Sequence, residues 1–242
     1  MQSATPYFSR SYAQARERFA AAARPLAAHF ASYAIDPKGR EGEALATDVA
    51  LIGDPRAERL LIMTSATHGV EGFCGSGCQL ALLDDADMLA RARAAGVALL
   101  LVHAVNPHGF SWIARTDEGN VDLNRNAQPF GAQPLPANPG YAQIHDLLLP
   151  AQWPANDANR AQIGSYIAEH GLPAFKQAVT RGQYTHADGL FYGGDRPAAS
   201  LLNLRRILAE HAARYAQIGW IDVHTGLGPR GHGEKIYAGR RD

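Results

Sequence analysis

The sequence is short of cysteine, of unbalanced charge and of long apolar runs, and each shortage excludes a class of protein. Its 242 residues include only two cysteines, Cys74 and Cys78, which cannot form a disulfide framework. Lys and Arg number 23, as do Asp and Glu, so no basic excess favours a nucleic-acid partner. No apolar run approaches the roughly 18 residues that span a bilayer, which gives no reason to expect a membrane partner. The N-terminus lacks a basic start followed by an apolar stretch, so we expect no signal peptide and a cytoplasmic protein.

What the sequence does contain is a series of short apolar runs that alternate with helical patterns. Such runs are typical of strands that are buried on both faces, and their alternation with helices predicts an α/β sandwich with a mostly parallel sheet. The predicted helices cover about residues 9–34 (broken at Pro25), 76–83 and 198–216. The predicted strands cover residues 45–52, 59–64, 97–105 and 219–223.

One segment differs from the rest in composition. Residues 127–154 contain six prolines and little periodicity, and long irregular segments of this kind are usually functional or mobile. We therefore expect a single domain over residues 1–242, with a proline-rich insertion at about 127–154. The oligomeric state cannot be predicted.

Two strand ends carry residues that can bind a metal. His68 and Glu71 follow the strand at 59–64, and His224 follows the strand at 219–223. Two imidazoles and a carboxylate, with a fourth position open, are the ligand pattern of a catalytic zinc site. Taken alone, His-x-x-Glu is common by chance and a histidine can simply end a strand. Asp222 lies two residues before His224 and could orient its imidazole, or it could be an ordinary polar strand residue.

A third group of polar residues follows the strand at 97–105. Asn106-Pro107-His108-Gly109 is a tight turn by its own chemistry. Asn124 and Arg125, within the stretch Asp122-Leu123-Asn124-Arg125-Asn126, place an amide beside a guanidinium, which suits a carboxylate ligand. Arg115 adds a second guanidinium to the same loop.

In this order, the His68-x-x-Glu71, Asn-Pro-x-Gly-Phe, Asp-Leu-Asn-Arg-Asn and His224 motifs resemble those of the zinc carboxypeptidase superfamily, which includes succinylglutamate desuccinylase and aspartoacylase. The residues of these motifs are most similar to those of an uncharacterised bacterial branch of this superfamily. The resemblance implies a three-layer α/β/α sandwich with a mixed, mostly parallel sheet. It also implies Zn²⁺ as the cofactor, held by His68, Glu71 and His224.

The same resemblance assigns the substrate contacts. Arg115 matches the arginine that polarises the scissile carbonyl, and Asn124 and Arg125 match the pair that grips a terminal carboxylate. The two cysteines follow Glu71 on the predicted helix, where buried reduced thiols are the expected reading.

The general base is where the sequence departs from the superfamily. In the superfamily the general base is a glutamate on a strand well downstream of the third zinc ligand. In this sequence only 18 residues follow His224. Glu234 is the one carboxylate of the right type in that tail. We therefore expect the chain to lack the end of the domain, with Glu234 as the rival candidate for the base.

These expectations leave two functions open. The first is a zinc-dependent hydrolase that cleaves an amide, either a C-terminal peptide bond or an N-acyl amino acid, in a small or peptide substrate with a free carboxylate. The second is a non-catalytic zinc- or ligand-binding domain that keeps the metal ligands but lacks the base.

Overall fold

The computed structural model describes residues 4–226 and 228–237, which form a five-stranded sheet with helices on both faces. The strands are β1 (Ala27–Lys38), β2 (Ala44–Ile52), β3 (Arg59–Ser65), β4 (Val97–His103) and β5 (Gln217–Val223). The helices are α1 (Tyr12–Ala23), α2 (Gly72–Asp84), α3 (Ala86–Ala94), α4 (Pro107–Trp112), α5 (Leu123–Asn126), α6 (Pro139–Leu148), α7 (Asp157–His170), α8 (Leu172–Thr180) and α9 (Ala199–His211). None of the helices in the described ranges combines the length and apolar character that crossing a membrane requires.

The sheet is mixed, with strand order β1-β2-β4-β3-β5. β1 pairs antiparallel with β2 and β2 antiparallel with β4, whereas β3 runs parallel to both β4 and β5. β4 is therefore the middle strand, and its residues from Ala98 to His103 are all buried. A strand that is covered on both faces is apolar throughout, which is why this run is readable from the sequence.

Two layers of helices cover the sheet. On one face Leu201 and Ile207 of α9 pack with Val49, Leu60 and Leu100. On the other face α1, α2 and α3 pack against the strands, with Phe19 and Leu83 among the buried side chains. The predicted α/β sandwich with a mixed sheet is confirmed, and the parallel pairings lie on the β3 side of it.

The prediction of one helical segment over residues 9–34 is wrong in its second half. α1 ends at Ala23, and the chain from Ala27 onward is the edge strand β1. The alanine content of this segment favours a helix, but Pro25 ends it and the long ladder with β2 overrides the local propensity. Tyr33 and Ile35 then reach the core as strand residues.

The proline-rich segment at 127–154 also contains more order than its composition indicates. α6 begins at Pro139, where proline fits the first turn of a helix, and Asn138 caps it by accepting from the Tyr141 amide. Tyr141 and Ile144 of α6 are fully buried. The segment therefore packs against the body of the protein through a helix that its few apolar residues did not predict.

Candidate metal centre

His68 and Glu71 reach one edge of the sheet from the end of β3. His68 lies three residues beyond the strand, and Glu71 is the last residue of a 3-10 turn that leads into α2. This turn packs directly on α4, because a Cβ at Gly69 would lie 1.9 Å from the carbonyl carbon of Gly109. Only glycine allows so close an approach of two backbones. The Asn-Pro-x-Gly motif thus supports the loop that carries His68 and Glu71.

His224 reaches the same edge because β5 runs parallel to β3. Ser65 pairs with Val223 at the ends of the two strands, and His224 follows directly. The carboxyl ends of neighbouring parallel strands meet at one edge of an open α/β sheet, where ligands usually bind. The strand register therefore joins residues that are far apart in the sequence.

The three predicted ligands converge on one point. One ligand atom from each of His68, Glu71 and His224 lies within 4.8 Å of the others. Nδ1 of His68 is 3.1 Å from Glu71 Oε1, and Nδ1 of His224 is 2.9 Å from Glu71 Oε2. Two imidazole nitrogens and a carboxylate oxygen are the donors of a catalytic zinc site with an open fourth position. The residues present therefore fit zinc.

Hydrogen bonds keep the carboxylate of this cluster charged. Burial alone would raise the pKa of Glu71, but hydrogen bonds from His224, His68 and the Thr225 amide lower that pKa to about 2. Hydrogen bonds with Asp222 and then Glu71 raise the pKa of His224 to about 10. The fixed negative charge makes the centre suitable for a cation.

Each histidine directs its second ring nitrogen to an aspartate. Nε2 of His224 lies 2.6 Å from Asp222 Oδ2, so the contact that the spacing predicts is present. Nε2 of His68 is buried and lies 3.4 Å from Asp122 Oδ1, without a well-aligned hydrogen bond. Thr67 holds Asp222 in place by donating to both of its carboxylate oxygens, at 2.9 and 3.1 Å. Without a metal, each Nδ1 donates to Glu71. With a metal bound, the carboxylates behind the Nε2 atoms would keep the proton on Nε2 and leave the Nδ1 lone pair to the metal.

Asp122 also joins Arg115 to the centre. Arg115 Nε donates to Asp122 Oδ2 at 3.0 Å, while Asp122 Oδ1 accepts from the Asn124 amide at 2.9 Å and caps α5. The Arg115 side chain is 37% exposed, and its terminal nitrogens make no hydrogen bond within the described part of the chain. They are free to contact a substrate.

The guanidinium of Arg125, which is predicted to bind a substrate carboxylate, already makes hydrogen bonds within the protein. Its Nη2 donates to the Thr180 carbonyl at 2.7 Å and its Nη1 to the Asn124 carbonyl at 3.2 Å. Its Nε is buried without a partner in the described residues. Asn124 itself is exposed, so it can still turn to a ligand. The guanidinium is therefore oriented by the main chain, with one hydrogen bond committed from each terminal nitrogen.

Asp122 and Phe191 are residues of this site that the sequence reasoning missed. Asp122 could have been found, because it opens the Asp-Leu-Asn-Arg-Asn motif and a metal-ligating histidine usually has a carboxylate partner. Phe191 contacts both guanidiniums, with its ring centroid 4.9 Å from Cζ of Arg115 and 5.7 Å from Cζ of Arg125. No sequence signal connects it with them.

Glu234 is the predicted candidate for the general base. Glu234 is exposed and lies beside Gly228, and no hydrogen bond or ion pair between described residues joins it to the metal centre. Its role as a base stays a prediction.

Cys74 and Cys78 are free thiols on α2, as expected, but they are not buried: Cys74 is half-buried and Cys78 is exposed. Their face of α2 points away from the core that Leu80 and Leu83 enter.

Comparison with known proteins adds a family and a fold. A family model described as "Protein of unknown function (DUF2817)" matches residues 8–242. A search of curated protein sequences finds no significant match.

Among solved structures, that of thrombin activatable fibrinolysis inhibitor is similar, with a TM-score of 0.53 and 13% identity over 98% of this chain and 53% of that one. The carboxypeptidase A from Helicoverpa armigera has a TM-score of 0.46 and 15% identity, over 90% of this chain and 46% of that one. The chain spans about half the length of these two proteins. The first similarity confirms the carboxypeptidase-like α/β fold that the motifs imply.

Proposed function

This chain belongs to the DUF2817 family, and on that premise we propose that it is a zinc-dependent hydrolase of an amide bond in a carboxylate-bearing substrate. We place it in a branch of the zinc carboxypeptidase superfamily. The observation that carries the proposal is the convergence of His68, Glu71 and His224, each with one ligand atom within 4.8 Å of the others. A triad of this kind with an open fourth position is the donor set of catalytic zinc sites.

In this proposal His68, Glu71 and His224 hold the metal. Zinc bound there would supply a Lewis acid that polarises a carbonyl oxygen and lowers the pKa of water. The protein's own contribution begins with Asp122 and Asp222, which face the Nε2 atoms of the two histidines. They orient the imidazoles and, with a metal bound, would leave the lone pair of each Nδ1 to it.

Arg115 is the residue that we assign to the developing charge on the substrate oxygen. Its Nε is fixed by Asp122, which leaves its terminal nitrogens as donors at a defined position beside His68. Donors that are oriented before the reaction lower the barrier because they need no reorganisation as charge develops. Asp122 thus orients both a metal ligand and a catalytic donor.

Asn124 and Arg125 are assigned to the carboxylate of the substrate. The exposed Asn124 amide and the remaining hydrogens of the Arg125 guanidinium can both donate to it. A terminal carboxylate belongs equally to a peptide and to an N-acyl amino acid, and both substrate classes follow from the same contacts.

A second candidate function is a non-catalytic zinc- or ligand-binding domain. The position of Glu234 favours it, because this exposed carboxylate has no contact with the metal ligands among the described residues. A general base is worth about 10²–10⁴-fold in rate, so a site without one would still bind ligands while turning them over slowly.

Zinc-loaded protein assayed against N-acyl amino acids and short peptides separates the two functions. A hydrolase releases amine from at least one substrate, and Glu71→Gln abolishes the release by removing an anionic ligand. The Glu234→Gln variant tests whether Glu234 is the general base. A loss of turnover of about 10²-fold or more identifies Glu234 as the base, and unchanged turnover excludes it from that role. Carboxylate binding without any turnover would establish the binding domain instead.

A further inference from the structure

Phe191 lies where the two proposed substrate arginines meet. The Cζ atoms of Arg115 and Arg125 are 4.9 and 5.7 Å from the centroid of its ring. A guanidinium within about 6 Å of an aromatic centroid is attracted by the ring's π-electrons. One side chain therefore contacts both cations, although the two arginines come from a different part of the sequence.

The backbone at Phe191 is held in an unusual conformation. Its φ is +51°, in the left-handed region that bulky side chains rarely adopt. The main chain on either side is fixed: the Asp122 amide donates to the Tyr192 carbonyl at 2.7 Å, and the Leu190 amide donates to the Tyr141 hydroxyl at 2.6 Å. Strain of this kind persists where the surroundings enforce it, and it is concentrated at functional sites.

The anchor at Tyr141 belongs to the proline-rich segment. Tyr141 lies on α6, is fully buried and contacts the loop that carries Phe191. Asn120 fixes the same loop from the other side, because its side-chain amide donates to the carbonyls of Ala187 and Gly189 at 2.9 and 3.0 Å. The segment at 127–154 is thereby linked, through one loop, to both guanidiniums.

An aromatic ring is chemically suited to this position. Two guanidiniums near one another repel. Asp122 already pairs with Nε of Arg115, and a second carboxylate between the two arginines would occupy the donors that a substrate must meet. The face of a phenyl ring attracts cations without accepting their hydrogen bonds in the way that a carboxylate does. The terminal nitrogens of Arg115 and the uncommitted terminal hydrogens of Arg125 therefore remain available to a ligand.

We infer that Phe191 is a positioning residue for substrate recognition, whose ring fixes Arg125 for the carboxylate and Arg115 for the scissile carbonyl oxygen, and that α6 serves to hold the Phe191 loop in place. This inference rests on the proposed function, since it assumes that Arg125 meets the substrate carboxylate and Arg115 the scissile carbonyl oxygen. It gives the proline-rich segment a role at the site without placing any of its residues against the substrate.

The test compares Phe191→Leu with Phe191→Tyr, which keeps the ring, and with Phe175→Leu, which removes a half-buried ring on α8. Succinate binding to the zinc-loaded protein is measured by calorimetry. The NMR shifts of the arginine side-chain protons report independently on stacking against a ring. We expect Phe191→Leu to bind succinate about tenfold more weakly and to lose the ring-induced shifts of both arginines, with zinc content unchanged. Phe191→Tyr and Phe175→Leu should match the wild type.

The outcomes separate this inference from the function on which it rests. Succinate binding that is unchanged in Phe191→Leu overturns the inference and leaves the proposed function standing. Wild-type arginines without ring-induced shifts also overturn it, because the contact is then absent in solution. If the wild-type protein shows the shifts but binds no succinate, the proposed binding of a carboxylate by Asn124 and Arg125 is contradicted. The role of Phe191 in substrate recognition is then wrong as well.

Discussion

β3 and β5 are each followed by a histidine of the candidate metal centre, yet the two strands lie in contrasting surroundings. β3 lies between β4 and β5, and Leu60 and Ile62 on it are buried, whereas Trp220 and Ile221 of β5 are about half exposed. The ligands follow the same contrast: the His68 side chain is 5% exposed and that of His224 33%. Even so, both imidazoles present Nδ1 to Glu71 and Nε2 to an aspartate. The geometry of the centre thus depends on strand register, while its protection from solvent differs between the two halves.

The largest expected effect comes from removing either ligand. His68→Ala and His224→Ala should both reduce zinc from about one ion per chain to near zero, because two protein ligands do not make a catalytic zinc site. Elemental analysis after dialysis measures this, with the exposed His232→Ala as a matched control that should retain zinc. If only the His68 variant lost zinc, the β5 half would not belong to the centre.

The two aspartates should differ in what their loss affects. Asp122→Asn and Asp222→Asn should each weaken zinc binding by about 10–100-fold, as is typical for carboxylate partners of ligating histidines. Asp122→Asn should also reduce the free energy of unfolding by about 1–2 kcal/mol, because Asp122 is fully buried but its partner Arg115 is 37% exposed, so water solvates part of the unpaired guanidinium. Asparagine keeps the cap of α5, so this loss does not come from the helix.

Chelator competition and urea denaturation of the zinc-free protein measure these two effects separately. Asp222 is 30% exposed at its side chain, so its variant should lower the free energy of unfolding by less than Asp122→Asn does. Equal destabilisation by both variants would show that burial does not distinguish the two halves.

A smaller effect distinguishes the strands themselves. Ile62→Ala on β3 should lower the free energy of unfolding by about 2–5 kcal/mol, the usual cost of truncating a fully buried isoleucine. Ile221→Ala on β5 should cost about 1 kcal/mol or less, since this side chain is 50% exposed. Urea denaturation measures both. Equal costs would mean that Ile221 is covered in solution.

The smallest effect concerns the proposed carboxylate-binding residues Asn124 and Arg125, which lie outside both strands. Arg125→Lys should weaken succinate binding by about fivefold to tenfold, because an ammonium keeps the charge but lacks the planar fork that a carboxylate pairs with. Arg181→Lys, at the exposed end of α8, is the control and should leave binding unchanged. Unchanged affinity in Arg125→Lys would show that the assignment of Arg125 is wrong.

The sequence predicts most of the sheet and the three residues of the candidate metal centre for a physical reason. Buried parallel strands are apolar throughout, and polar residues at their carboxyl ends stand out against them, as at His68 and His224. The edge strand β1 could not be predicted, because its pairing with β2 overrides an alanine-rich segment that favours a helix. Phe191 could not be predicted either, since its contact with the arginines depends on a loop held by α6.

X-ray absorption at the zinc edge of the wild-type protein, after addition of zinc to folded protein, tests the central claim most directly. We expect about one zinc per chain with two imidazole nitrogens at about 2.0–2.1 Å, further oxygen ligands and no sulfur. Folded protein that takes up no zinc would contradict the claim. So would a sulfur shell at about 2.3 Å, which would place the metal on Cys74 and Cys78 instead of on His68, Glu71 and His224.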